Sequence, residues 1–334
     1  LHMTERYDIT GIGNAIVDVI AQVGDDFIQN KDLPKGGMTL VDETQADALY
    51  QELGPAIERS GGSAGNTMAG VASLGGRGAY IGKVKDDQLG EVFGHDIRSG
   101  GIDFRTPAAT EGPETARCLV MVTPDAQRTM CTYLGACVGL GPDDVDPDLI
   151  ESSRVTYLEG YLWDRPEAKQ AFVRAAEIAH GKGRQVALTL SDPFCVDRHR
   201  ESFKELVAGH IDILFANEAE ILSLYQVERF EDALEAVKPH CKTVALTRSE
   251  KGSVILHGGQ AFEVPAERVD KVVDTTGAGD LYAAGLLMGL VRGLPPTQCG
   301  QLGALAAAEV ISHVGGRPDT SLRELAKQRL QIEL

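Results

Sequence analysis

The sequence predicts an α/β fold: a mostly parallel central sheet covered by helices on both faces, with a small β-sheet lid beside it. Three observations predict it. From residue 154 onward, β-branched runs such as "RVTYLEGYL", "QVALTLSD", "IDILFAN" and "KTVALTRS" alternate with helix-period stretches such as "PEAKQAFVRAAEIAHGKG", the pattern of strand–helix–strand crossovers. Two further strand-like runs, "ARCLVMVT" and "RTMCTYLGA", are joined by the turn "PDAQ" and break that alternation as an antiparallel pair. The length of 334 residues suits one large domain with a smaller attachment.

In chain order, "YDITGI" at 7–12 reads as a first strand ending at glycine. The "GIG" that follows lacks the third glycine and the immediate helix of a dinucleotide-binding turn, and "AIVDVIAQV" continues as a strand. Residues 43–59 read as a helix, and a small-residue helix runs from Asn66 to Leu74. "GAYIGKV" is a core strand and "DQLGEVFGHDIRSG" a helix. After "KTVALTRS" come the hairpin-like "GSVILHGGQAFEVP" and helices from Gly279 to about Arg292, from Thr297 to about His313, and near 320–332. The expected organisation is a single domain over 1–334, its lid made of residues 16–40 and 104–136, with "LHM" at 1–3 as a tag remnant.

Composition narrows the partners. Forty-nine acids against 32 bases give a formal charge of −17 with no basic block, which repels a phosphate backbone and argues against nucleic acid. No apolar run reaches the roughly 18 residues that span a bilayer, so no membrane is expected. The six cysteines include no C-x-x-C pair, which suits a reducing cytoplasm. A small molecule is the expected ligand.

The chemistry concentrates in "DTTGAGD" at 274–280, directly before the apolar run "LYAAGLLMGLV". Glycines at 277 and 279 let the backbone turn its N–H groups one way at the positive end of a helix, so Gly277, Ala278, Gly279 and Asp280 make an expected anion hole. Asp280, an acid beside an anion site, has a purpose if it accepts a hydroxyl proton while the hole holds a phosphoryl group; the helix dipole favours its ionised form. The plainer reading is a helix cap. No G-x-x-x-x-G-K-[ST] occurs, so a nucleotide is held without a P-loop.

Two signatures, "SGGSAGNTMAGVASLGG" at 60–76 and "VVDTTGAGDLYAAG" at 272–285, resemble those of the ribokinase-like, or PfkB-type, carbohydrate kinases, the nucleoside kinases most of all. The resemblance covers residues 7–318. It implies ATP and Mg²⁺, a monovalent cation, K⁺, and transfer of the γ-phosphate to a primary hydroxyl. It implies Asp280 as general base, with Asn14, Asp18, Gly62 and Asn66 around the sugar. "NEAE" resembles the family's N-x-x-E, which puts Asn217 and Glu220 near the phosphates, Glu220 toward Mg²⁺ through water; a capping pair is the plainer reading. "ALTRSEKG" implies Thr247, Ser249 and Gly252 beside the nucleotide. Asp274, with carbonyls around Thr276 and Gly315, is the implied cation site. In the lid, Cys118 and Tyr133, with Met130 and Leu134, offer apolar contact to a purine, or pack the side sheet. Adenosine is the favoured substrate; inosine, guanosine, ribose and fructose stay open, as does a catalytically silent sensor. A homodimer through the lid is a further expectation.

Overall fold

The computed structural model describes residues 5–334; the tag remnant expected at 1–3 lies outside the described residues. The strands are, in order, Tyr7–Ile12 (β1), Ile16–Gln22 (β2), Met38–Leu40 (β3), Ala56–Ser60 (β4), Gly78–Ile81 (β5), Ile102–Phe104 (β6), Ala116–Val122 (β7), Arg128–Tyr133 (β8), Ser153–Glu159 (β9), Gln185–Thr189 (β10), Ile213–Asn217 (β11), Thr243–Thr247 (β12), Ser253–His257 (β13) and Gln260–Val264 (β14). Nine form the main sheet, ordered β14-β13-β12-β11-β10-β9-β1-β5-β6, and five the small sheet, ordered β3-β8-β7-β2-β4. From β6 to β12 the main sheet is parallel; β13 and β14 close it as an antiparallel hairpin.

Strand alternation explains why these strands read as unbroken apolar runs. Val155 and Tyr157 of β9 enter one core and Leu158 the other; in β12, Ala245 faces the first and Val244 and Leu246 the second. Both faces are therefore buried. Helices Ser63–Ser73, Gln88–Ser99, Ala278–Val291 and Pro296–Ile311 cover one face, and Pro166–Gly181, Pro193–His210, Glu218–Tyr225 and Phe230–Val237 the other. Ala278–Val291 is apolar nearly all round because it lies between the sheet and Pro296–Ile311. Gly289 allows that approach: a Cβ there would stand 2.8 Å from Cys299 Cα.

The helix expected over 43–59 stops at Glu52, and residues 56–60 form β4. Leu53 is extended and Pro55 follows, and proline disfavours helix at the residue before it. The small sheet thus draws on β4 as well as β2, β3, β7 and β8, while β6 belongs to the main sheet. Pro193–His210 starts seven residues ahead of the expected "RESFKELVAGH", because Asp192 caps it and Pro193 opens it. Among the described residues no helix is long and apolar enough to cross a membrane.

From β1 the strand order runs to β5 in one direction and to β9 in the other. The crevice between the carboxyl ends of β1 and β9 is therefore the switch point of the sheet, where ligands of open α/β sheets bind.

Candidate active site

The turn before helix Ala278–Val291 depends on Gly277, which sits at φ 80° and ψ 0°, a left-handed conformation favourable to glycine. A Cβ there would stand 2.7 Å from Gly316 Cα. The Ala278 N–H donates to the Thr275 carbonyl at 3.2 Å, so the expected hole of four amides has three. The N–H groups of Gly277, Gly279 and Asp280 have no acceptor among the described residues. A Cβ at Gly279 would meet nothing within 4 Å, so open space lies before the helix tip.

Asp280 is held at that tip by two donors from helix Ser63–Ser73, an anchoring absent from the expectations. Ser63 Oγ donates to Oδ1 at 2.6 Å and Asn66 Nδ2 to Oδ2 at 3.1 Å. Burial pushes the Asp280 carboxyl up to about 6, against the lowering effect of these two bonds. The acid is thus ionised at neutral pH but close to its midpoint, a weak base suited to late proton transfer. Turnover is expected to fall about tenfold per unit below pH 6 as Asp280 protonates. Removing Ser63 Oγ or the Asn66 amide leaves the carboxylate less stabilised, so in Ser63→Ala or Asn66→Ala the acid limb of the pH–kcat profile should move to higher pH.

Glu159, at the end of β9, organises the crevice. Its buried carboxylate accepts the Asn14 N–H at 3.0 Å and the Ala64 N–H at 2.9 Å, and burial pushes it up to about 7 against those bonds. Asn14 is also fixed through its carbonyl, which accepts from Tyr80 Oη at 3.1 Å. Gly62 has φ 85°, and a Cβ there would meet the Asn14 carbonyl oxygen at 2.6 Å. The two loops are thereby clasped together.

Asp18 projects from β2 toward this crevice and accepts no hydrogen bond from any described residue. Burial raises its carboxyl to about 6, opposed by the charges of Arg317, Arg59 and Arg128. None of these arginines was among the expected site residues. Arg317 is itself lowered by burial, and its Nε and Nη2 have no partner. Cys118 pairs with Asp18 in register, and Thr132 with Cys118, so all three share a face. Tyr133, one residue on, is on the reverse face, where its hydroxyl donates to Glu43 at 3.1 Å and its ring lies under Arg117. Tyr133 therefore packs the side sheet, the other role open to it; Met130 lies on the Asp18 face. Burial lifts the Cys118 thiol to about 12, which leaves it unreactive.

Toward β11 and β12, Asn217 and Glu220 form a reciprocal capping box: each side chain accepts the other's backbone N–H, both at 2.8 Å. That bond engages Glu220 Oε2 and leaves Oε1 open. Burial, with the nearby charges of Asp192 and Asp280, pushes Glu220 up to about 7 against the Asn217 N–H. The open Oε1, with the carboxylates of Asp192 and Asp280 nearby, offers oxygen ligands of the kind a magnesium ion held through water takes. Thr247 lies beside Asn217 in register. Ser249 adopts φ 53°. Gly252 is required because a Cβ there would stand 2.9 Å from Pro265 Cα. Arg248 is turned aside, bonded to Glu218 at 3.2 Å and stacked 3.9 Å over the Phe230 ring.

Asp274 accepts the Thr276 N–H and the Gly315 N–H, each at 3.0 Å, so the expected trio does come together. The same carboxylate meets Arg128 Nη1 at 3.1 Å. A guanidinium thus stands on the acid that the resemblance gives to a cation.

A family model for the pfkB family carbohydrate kinases matches residues 51–322. The chain belongs to the pfkB family. This pfkB kinase is 54% identical to adenosine kinase from Sinorhizobium meliloti, with a TM-score of 0.88 over 97% of this chain and 99% of that one. It is 52% identical to a "probable sugar kinase protein" from Rhizobium etli CFN 42, with a TM-score of 0.90 over 99% and 100% of the two chains. Adenosine kinase from Saccharomyces cerevisiae is 28% identical over 327 residues, 91% of this chain and 94% of that protein. As a pfkB-family member with such relatives, the protein is an ATP-dependent kinase of carbohydrates or nucleosides.

Proposed function

We propose that this pfkB kinase transfers the γ-phosphate of ATP to the primary hydroxyl of a nucleoside, adenosine before inosine or guanosine. The observation that carries the reading is Asp280: its carboxylate is fixed by Ser63 and Asn66 beside three free amides, at the switch point of the sheet. Asp280 accepts the hydroxyl proton. The N–H groups of Gly277, Gly279 and Asp280 stabilise the charge on the transferring group. Asp18, with no partner of its own, accepts from the vicinal sugar hydroxyls, and the loops holding Asn14 and Gly62 bring backbone close to the ring. Thr247, Ser249 and Gly252 border the nucleotide. Magnesium at Glu220, when bound, supplies neutralisation of phosphate charge.

Adenosine kinases among the similar proteins support the nucleoside. So does an apolar row on the Asp18 face, where Ile20, Val120 and Met130 stand in register and offer a flat surface to a purine. The small sheet serves as the lid that excludes water. Met38, Leu40 and Ile57 on its two edge strands are more than half exposed and support a homodimer through this sheet, which light scattering would read as twice the chain mass. Six free, buried cysteines suit a reducing cytoplasm. A second reading, a sugar acid, is favoured by Arg59 and Arg317 flanking Asp18, since paired guanidinium groups recognise carboxylates.

The test is ADP release from ATP and Mg²⁺ with a panel of adenosine, inosine, guanosine, ribose, fructose and a sugar acid. Adenosine is expected to give the highest kcat/KM. Highest turnover with the sugar acid would install the second reading, and binding without turnover would make the protein a sensor.

A further inference from the structure

We propose that Arg128 acts as a built-in monovalent cation: its guanidinium neutralises Asp274 and fixes the loops beside the anion turn, so that potassium has no site to fill. The proposal departs from the ion implied by the resemblance. It shares the kinase reading of the site but rests on the surroundings of Asp274 alone.

A monovalent ion at Asp274 needs a carboxylate with free lone pairs among carbonyl oxygens. Here Oδ1 accepts the Thr276 N–H, Oδ2 accepts the Gly315 N–H, and Arg128 Nη1 stands 3.1 Å from Oδ2 as an ion pair. The acid and the arginine are each only 12% exposed, so water screens the pair weakly. Burial acts to raise Asp274, but the Gly315 and Thr276 hydrogen bonds and the Arg128 charge hold it below its usual range. A second guanidinium stands at the same loop: a Cβ on Gly315 would meet Arg59 Nη2 at 2.8 Å. A further positive charge would face both arginines across a poorly screened space.

The placement of Arg128 gives the pair a mechanical consequence. It comes from β8 of the small sheet, whereas Asp274 leads into the anion turn and Gly316, next to Gly315, packs against Gly277. One ion pair therefore ties the small sheet to the turn, and Arg128 is a positioning residue.

The experiment compares KCl, NaCl and tetramethylammonium chloride at constant ionic strength, reading thermal stability and steady-state rate on the full chain. A specifically bound ion raises Tm by mass action, so the native protein is expected to show equal Tm in the three salts and a rate differing by less than about twofold. Arg128→Ala uncovers Asp274 and should gain a potassium-specific rise in Tm, which Arg128→Lys should not. A potassium-specific Tm shift or several-fold activation of the native protein would overturn the proposal, as would Arg128→Ala folding without any response to potassium. If Arg128→Ala fails to fold, the native comparison still decides. The Tm arm needs no turnover, so a wrong substrate and a wrong cation claim give different results.

Discussion

Asp280→Asn is expected to lower kcat by about 10²–10⁴-fold, the span of a lost general base, while the fold survives. The asparagine has the same shape, and its carbonyl oxygen can still accept from Ser63 or Asn66, but it cannot take a proton. Its neutrality also removes a charge whose burial now pushes the carboxyl up to about 6, so Tm should be equal to or above that of the native protein. KM for ATP should change little if, as proposed, the phosphates meet the backbone amides. The residual rate should lose the acid limb at pH 6, since the group that titrates there is gone. Steady-state kinetics from pH 5 to 8 and a thermal melt check these points together. A native kcat in the variant would remove Asp280 from the chemistry; parallel losses of kcat and Tm would make it a structural cap.

Gly279→Ala separates the anion turn from stability in a way few substitutions do. A Cβ at 279 meets no protein atom within 4 Å, and alanine in a helix is favoured over glycine by about 0.5–1 kcal/mol. Side chains at a helix start tilt toward its N-terminus, so the new methyl enters the space where the phosphoryl group is to sit. The expected result is a Tm equal or higher with kcat/KM lower by about 10²–10³-fold, comparable to loss of an oxyanion donor. Gly277→Ala provides the contrast. With φ at 80° and Gly316 in the way, it should lose stability and activity together. Activity near native in Gly279→Ala would place the phosphoryl group elsewhere.

Much of this site was legible because its parts lie in short continuous stretches. "SGGSAGN" and "DTTGAGD" carry their own turn chemistry, and "NEAE" carries its own capping box; in that last case the expected functional pair and the plainer capping pair are the same residues. What sequence reading missed depends on contacts between distant segments. Arg128 opens the strand-like run "RTMCTYLGA" with nothing local to mark it, and only the small sheet brings it to Asp274. Glu159 ends an ordinary core strand, yet it clasps the Asn14 and Ala64 amides from two other elements. Tyr133 shows how little separates the two faces of a strand: one residue of parity moves it from beside Asp18 to beside Glu43. β4 is short and follows the helical run from 43 with only Gly54 and Pro55 to mark the break.

The arrangement stands or falls on Asp280 and the free amides acting on one phosphoryl group. A crystal structure with substrate and a non-hydrolysable ATP analogue measures this directly. The expected result is the acceptor hydroxyl within hydrogen-bond distance of an Asp280 carboxylate oxygen, with the terminal phosphate on the N–H groups of Gly277, Gly279 and Asp280. An Asp280 turned away from every substrate hydroxyl, with that phosphate bound at another helix or loop, would contradict it.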